Sequence, residues 1–269
     1  MIVSFIIIEY HSINDVEKCI NSIDALNLNF EHEIIITSNS QYDNHKQRKL
    51  LFDFPGIIWS FNSKNNGFAY GMNRGINKSK GDFVILQNPD TRIISGDFIE
   101  MFNFIRKNNV GVLGPKIINN DMVVQDSCRS FLTPVRLLKR LFFRYFFKKQ
   151  NILYKKFDYK KIQKVDWVIG GFMVIPKSTI NQIEGLNEKY FMYVEDMAYC
   201  LSAWENNLKV VYYPEILICY EGDRKSAGSS IFSLNNYTKI HIKNYCDFLK
   251  NYYNSKFKSI NKTDFNHYY

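Results

Sequence analysis

Two segments of the chain carry carboxylates where chemistry could use them. Asn88-Pro89-Asp90 closes the apolar run Asp82 to Leu86. Proline stops a strand and fixes the backbone, so Asp90 is presented at the strand's carboxyl end. A single carboxylate placed there suits Mg²⁺ or Mn²⁺, hard ions that keep positions open for phosphate oxygens. An Asx-Pro turn without a ligand is the plainer alternative. The second segment, Tyr190-Phe191-Met192-Tyr193-Val194-Glu195-Asp196, brings two adjacent carboxylates to a helix start. They favour the helix dipole there and could serve as caps alone. The chemical reading is a general base with a neighbour that orients a hydroxyl.

Two glycine-bearing segments accompany them. Gly170-Gly171-Phe172-Met173 lets backbone approach a ligand closely, or simply bends a strand. Asn65-Asn66-Gly67-Phe68-Ala69-Tyr70-Gly71-Met72-Asn73-Arg74-Gly75 lacks the G-x-G-x-x-G dinucleotide fingerprint. Its glycines, four residues apart, give a smooth helix face suited to close packing on a sheet.

The elements that must position these residues alternate along the first half. Apolar runs at Val3 to Ile8, Glu33 to Thr37, Ile57 to Phe61 and Asp82 to Leu86 read as strands, and Asn14 to Ala25 reads as a helix. This order predicts a parallel sheet with helices on both faces. Ligands of such sheets sit beyond the carboxyl ends of the strands, which directs attention to residues 9–12, 37–41, 62–67 and 87–91. Further on, the pattern predicts a helix from Ser95 to about Asn108, a strand Val110 to Leu113, a hairpin near Asn119-Asn120-Asp121 and a strand Val165 to Ile175 broken at Gly170-Gly171. A helix Glu195 to Glu205, a strand Val210 to Tyr213 and a basic-aromatic helical tail from Phe232 to Tyr253 complete the reading.

At 269 residues, 46% hydrophobic and 23% charged, the chain is long enough to bury a core without disulfides or structural metal. Its net charge of +9 points to a polyanionic partner: a phosphate ligand, an acidic membrane or nucleic acid. The five cysteines are scattered without a C-x-x-C pair, as in reduced cytosolic proteins. Met1 to Ile8 has no basic leader or cleavage site and reads as a buried strand. No stretch reaches the roughly 18 apolar residues of a membrane span.

In this order the motifs resemble bacterial glycosyltransferase family 2, and within it the rhamnosyltransferases of cell-surface polysaccharide assembly. The matching pieces, within a resemblance from Val3 to about Ser226, are Ser4 to Ser12, Asn66-Gly67-Phe68 through Asn73, Asn88-Pro89-Asp90, Gly170 to Met173, and Tyr190 to Asp196 with Cys200-Leu201 and Tyr213-Pro214 after it. The resemblance implies an α/β GT-A fold over residues 1–228, with a single Rossmann-like mixed sheet flanked by helices. Its nucleotide-sugar half would be 1–115 and its acceptor half 116–228, followed by a helical extension over 229–269. It further implies that Tyr10 lies against the nucleotide base and Asp90 binds Mg²⁺ or Mn²⁺ bridging the donor diphosphate, with Asn88 beside it. Ser38, Asn39, Asn66, Gly67 and Asn73 fall at donor-binding positions. Asp196 would be the base that deprotonates the acceptor, Glu195 its neighbour, and Gly171 a lining of the acceptor-side pocket. The implied reaction is inverting transfer of a sugar from a nucleotide-sugar, dTDP-L-rhamnose before a UDP-hexose or galactofuranose donor. The acceptor would be a lipid-linked glycan of O-antigen or capsule synthesis, at the cytoplasmic face of the bacterial plasma membrane.

The chain also departs from the family pattern. An aspartate usually follows the second strand and contacts the base, where this chain reads Ser38-Asn39-Ser40. Ala198 and Ser202 replace an aspartate and an arginine after the acidic pair, and Cys219 stands where relatives often carry histidine. Cysteine is a soft ligand, poorly matched to magnesium; Arg224, with Lys225, could take over diphosphate neutralisation. These departures keep open a second reading, a catalytically silent binding member of an assembly complex.

Thr133 to Lys149 places Arg136, Arg140, Arg144 and Lys148 on one helical stripe and Leu138, Leu141, Phe142, Tyr145 and Phe146 on the opposite face. A helix over 134–149 with that division suits an anionic membrane interface; packing of the aromatic face on the protein's own core is the alternative. Basic residues among aromatics also occur in single-strand binders. No nucleic-acid module accompanies them here, so no nucleic-acid partner is expected.

Overall fold

The computed structural model describes residues 1–131, 157–222 and 236–257. The basic-aromatic segment 134–149 and Arg224 lie outside these residues. The first half forms β1 (Ile2–Glu9), α1 (Ile13–Asp24), β2 (Glu31–Ser38), α2 (Asn44–Asp53), β3 (Ile58–Phe61), α3 (Phe68–Lys78) and β4 (Phe83–Gln87). β5 (Thr91–Ser95), α4 (Phe98–Asn108) and β6 (Val110–Asn119) follow. The short pairs β7 (Cys128–Arg129), β8 (Gln163–Lys164) and β9 (Trp167–Val168) lead to β10 (Phe172–Pro176) and α5 (Lys177–Ile183). The described chain closes with α6 (Glu195–Glu205), β11 (Lys209–Tyr220) and α7 (Asn236–Asn254).

The central sheet runs β3-β2-β1-β4-β10-β6-β11-β5, with β8 paired to β11. β3, β2, β1 and β4 are parallel, as the alternation of strand and helix predicts. Beyond β4 the sheet is mixed, since β10 runs antiparallel to both β4 and β6. A strand returning from a distant segment is under no obligation to run parallel, and local periodicity carries no sign of its direction.

β1 shows why the core has two layers. Alternate side chains of a strand point to opposite faces: Val3, Phe5 and Ile7 pack with α1 and α4, while Ile6 and Ile8 pack with α3 and α6. Covered on both faces, the strand is a continuous apolar run that ends at the first ionisable residue, Glu9. Gly71 and Gly75 of α3 lie against Ile8 and Ile6, leaving no room for a Cβ; the smooth helix face does pack closely on the sheet.

Two strands extend past their sequence limits. β6 continues through Pro115 to Asn119. β11 continues beyond Tyr213-Pro214, with its register to β6 shifting between Tyr213 and Leu217. Proline cannot donate to the ladder, so it reads as a stop, yet a bulge absorbs it. The second half of β11 then pairs with β5 and ends at Tyr220, beside the turn that carries Asp90.

Candidate active site

The two carboxylate segments, 106 residues apart, meet across Gly170-Gly171. Register between β4 and β10 sets Phe172 opposite Gln87. The Asn88 N–H therefore donates to the Gly171 carbonyl at 2.9 Å. One residue earlier, the Gly170 N–H donates to Asp196 Oδ2 at 2.8 Å. A Cβ on Gly171 would meet nothing closer than Asn88 Nδ2 at 3.9 Å, so the space beside its Cα is open.

Asp90 sits in the turn between β4 and β5. Its carbonyl accepts from the Glu221 N–H at 2.9 Å, fastening the turn to the end of β11. The Tyr220 hydroxyl bonds its carboxylate, and a Cβ at Gly222 would run into Oδ2. Burial pushes the Asp90 pKa above its ordinary value, and the Tyr220 hydrogen bond opposes that shift. Asp90 Oδ1 and Asn88 Oδ1 are both buried without a hydrogen-bond partner. Buried oxygens without donors are costly unless something else fills their lone pairs. Two hard oxygen atoms fit a small divalent cation, and no group of three or more His, Cys, Asp or Glu side chains suited to a metal occurs among the described residues. Such a donor set matches Mg²⁺ or Mn²⁺ that completes its shell with water and phosphate.

Beneath the turn, the largely buried Arg92 pairs with Glu221 at 2.9 Å and with Asp15 at 3.8 Å. It also donates to the Pro89 and Thr91 carbonyls at 2.6 and 2.8 Å. Sequence reasoning missed this residue. Its position two residues after Asp90 is the only local sign, and its partners come from other elements.

Asp196 is held by backbone alone: Oδ2 accepts from Gly170 and Oδ1 from Met197, each at 2.8 Å. Burial raises its pKa, and those two N–H donors oppose the rise. Glu195 is 6% exposed and its Oε2 has no hydrogen-bond partner. Burial, and then the Asp196 charge, push the Glu195 carboxyl well above its ordinary value. Burial thus raises both carboxyls, with the Asp196 charge adding to the rise at Glu195, while the start of α6 places them where the helix dipole favours negative charge.

A fourth carboxylate was not singled out in the sequence. Glu9 is fully buried at the carboxyl end of β1, opposite Ser38 in the parallel register. It accepts from Ser38 Oγ at 2.5 Å, from Ser40 Oγ at 2.8 and 3.0 Å, from Tyr42 Oη at 3.0 Å and from the Ser12 N–H at 2.9 Å. Ser40 Oγ in turn accepts from the His11 N–H at 2.7 Å. The sequence position of the missing aspartate is therefore served by a carboxylate from the neighbouring strand. An acid ending an apolar run, two strands from three hydroxyls, was the available signal.

The other expected residues are placed as follows. Tyr10 is 55% exposed at the rim, its ring 4.5 Å from that of His11. Asn39 is buried and bridges Asn62, Asn65 and the Gly67 carbonyl, organising the loop that holds Asn66. Gly67 has φ of 99° and abuts the Phe191 carbonyl, which also accepts from the Phe68 N–H at 2.7 Å. The start of α3 is thereby tied to the loop before Asp196. Asn73 is not brought to this cluster: mid-α3, its amide exchanges hydrogen bonds of 2.8 Å with both backbone groups of Leu186. Cys219 Sγ lies 3.5 Å from Asn120 Oδ1.

Solved structures with this architecture are glycosyltransferases of the GT-A fold, and that is the fold class of the chain. The structure of GalNAc-T7 with UDP, GalNAc and Mn²⁺ superposes with a TM-score of 0.65 at 15% identity, covering 92% of this chain and 49% of that one. A mannosyltransferase from Pyrobaculum calidifontis in complex with GDP-Man and Mn²⁺ gives 0.55 at 12% identity, covering 83% and 58%. The model of glycosyl transferase family 2 matches residues 4–176, and the chain belongs to that family. Among similar proteins, the low-salt glycan biosynthesis hexosyltransferase Agl10 of Haloferax volcanii is 26% identical over 212 residues, 77% of this chain and 63% of the relative. Rhamnosyltransferase WbbL of Escherichia coli is 22% identical over 228 residues, 78% of this chain and 80% of the relative. An N-acetylglucosaminyl-diphospho-decaprenol L-rhamnosyltransferase of Mycobacterium tuberculosis is 28% identical over 179 residues, 61% of this chain and 58% of the relative. The matches thus span about three-fifths of the Haloferax and Mycobacterium proteins.

Proposed function

We propose that the chain is an inverting glycosyltransferase that moves a sugar, L-rhamnose before other hexoses, from a nucleotide-sugar to a lipid-linked glycan of a cell-surface polysaccharide. The observation that carries this reading is the Gly170-Gly171 bridge, which ties Asp196 and the Asn88-Pro89-Asp90 turn to two successive residues. Asn88 and Asp90 would hold the divalent ion through their donor-free oxygens. When bound, that ion supplies positive charge against the departing diphosphate. Asp196, whose two N–H donors favour its charged form, would take the proton of the acceptor hydroxyl as it attacks the anomeric carbon. A single in-line displacement, in which the acceptor hydroxyl attacks as the diphosphate leaves from the opposite face, would invert the anomeric centre and needs no protein nucleophile.

The donor preference rests on the rhamnosyltransferases among the similar proteins, and a polyprenyl-diphosphate acceptor follows the one that the Mycobacterium relative is named for. Among the described residues no helix is long and apolar enough to cross a membrane. The reading includes docking on an anionic membrane surface through the segment 134–149, on the strength of its basic and aromatic residues.

The test is thermal unfolding with Mn²⁺ and dTDP, UDP, GDP or CDP, followed by release of nucleoside diphosphate from the matching sugar donor. The acceptor in that turnover assay is a synthetic polyprenyl-diphosphate N-acetylglucosamine. A ligand at a hundredfold excess over its dissociation constant stabilises by about 2.7 kcal/mol. A metal-dependent rise with dTDP or UDP, lost in Asp90→Ala, is expected. No rise with any of the four diphosphates would overturn the donor site and leave the silent binding protein as the better reading.

A further inference from the structure

The family match ends at residue 176, yet the C-terminal helix reaches the catalytic loop. One face of α7, at spacings of three and four residues, carries His241, Asn244, Phe248 and Asn251. Phe248 anchors that face in the core, 5.5 Å from the Phe131 ring. The polar members all reach residues 190–193. Asn244, itself 6% exposed, directs its amide N–H₂ to the carbonyls of Met192 at 3.0 Å and Tyr193 at 3.4 Å. The Tyr190 hydroxyl donates to Asp247 Oδ2 at 3.3 Å, and Asn251 Nδ2 lies 3.4 Å from that hydroxyl. The His241 ring faces that of Tyr193 at 5.2 Å.

The loop so held has a backbone that needs holding. Tyr193 and Val194 lie in succession in the left-handed region, at φ of 69° and 78°. That region is rarely adopted by aromatic residues and is a real outlier for a β-branched one. Such conformations persist only where surrounding contacts over-determine them. Val194 also occupies the N-cap position of α6 and offers no side-chain cap, so the direction of the helix start depends on that turn. On its other side the loop is fixed by the Phe68 N–H donating to the Phe191 carbonyl.

We propose that α7 is a working part of the active site, with Asn244 as a positioning residue that clamps the Tyr193–Val194 turn and so aims Asp196 at the acceptor. The proposal rests on the reading of Asp196 as the base. Asn244 donates to two successive carbonyls at the strained turn, so one side chain of α7 holds the backbone on either side of Tyr193. Replacing it with aspartate keeps the shape and turns both donations into repulsions between oxygens.

Two measurements on the full chain test the clamp. The first is turnover in the assay above for wild type, Asp196→Ala, Asn244→Asp, Asn244→Gln and Ile242→Ala. The last changes the same helix at a residue 51% exposed, away from the face that meets the loop. A misplacement of about 1 Å in a catalytic group costs about a hundredfold in rate. Asn244→Asp should therefore lower kcat by that order with nucleotide affinity unchanged, Asn244→Gln should recover part of it, and Ile242→Ala should keep kcat. The second measurement is hydrogen exchange, where Asn244→Asp should speed the peptide spanning 190–198 and leave 1–87 protected as in wild type. Wild-type kcat and unchanged exchange in Asn244→Asp would overturn the clamp. Faster exchange in a chain whose wild type turns over no donor would uphold the clamp and defeat the transferase reading instead.

Discussion

Moving the Glu9 carboxylate back across the strand gap tests whether β1 and β2 share one anion position. Glu9 and Ser38 are register partners, and their side chains are 2.5 Å apart. Glu9→Ser removes an acceptor that serves three hydroxyls and one N–H. Hydrogen bonds to a charged group contribute about 1.5–3 kcal/mol each. The hydroxyls can turn toward one another and toward water, so the net loss should be about 3 kcal/mol. Ser38→Asp alone sets a second carboxylate against Glu9. Two such charges about 4 Å apart repel by about 4 kcal/mol at an effective dielectric of about 20. If the positions were independent, the double variant would lose the sum, about 7 kcal/mol, and would barely fold. With one shared site it holds a single carboxylate again and should lose no more than about 2 kcal/mol. Urea unfolding of the four proteins at neutral pH, with equal slopes, gives the coupling. Losses that add would refute the shared site and leave Glu9 as a residue that merely ends β1.

Three further outcomes follow from the same geometry. Glu195→Gln should stabilise increasingly as pH rises: with the folded pKa raised above the ordinary 4.5, the native state binds the extra proton, and stability drawn from it is lost as pH climbs from the unfolded value through the folded one. A constant difference from wild type between about pH 5 and pH 8 in urea midpoints would contradict that. Arg92→Met keeps the stem but removes the Arg92 donor from the Pro89 and Thr91 carbonyls, leaving Thr91 only Gln87 Nε2 at 3.3 Å among side-chain donors, and should cost about 2 kcal/mol while weakening Mn²⁺-dependent nucleotide binding through the Asp90 turn; calorimetry showing full affinity would separate the two effects. Gly67→Ala forces a Cβ against the Phe191 carbonyl at a φ of 99° and should lower the melting point and turnover together, so an active, fully stable variant would count against the tie between α3 and the catalytic loop.

Much of the fold was legible because local patterns wrote it. β1 to β4 are apolar runs between helices, and Glu195 to Glu205 was readable from an acidic start and an apolar body. Less legible was anything decided by distant partners. The antiparallel direction of β10 is set by a return from another segment, and β11 passes through Pro214 on a bulge. Within the site, types that stand out singly, such as Asp90 and Asp196, draw attention in the sequence, whereas Glu9 is hidden as the last residue of an apolar strand. The partners of Asn73 are just as invisible locally, since its amide bonds Leu186, 113 residues away. Asn244 lies about 50 residues beyond its partners and leaves no local periodic trace.

What separates the carboxylates at this sheet edge is how many lone pairs the protein leaves unfilled. Glu9 is saturated by hydroxyls and an amide, so it can orient Ser38, Ser40 and Tyr42 but has little left to offer a ligand. Asp90 keeps one buried oxygen without a donor, the condition for holding a cation. Asp196 receives one N–H on each oxygen, which fixes its direction and favours its charge while a second lone pair on each remains for a proton. Glu195, buried beside it with an orphan oxygen, has its carboxyl pushed up by burial and by the Asp196 charge. These differences follow from donors supplied by neighbouring backbone and side chains, and they arise because β4 ends, and β10 and α6 begin, at the same edge of the sheet.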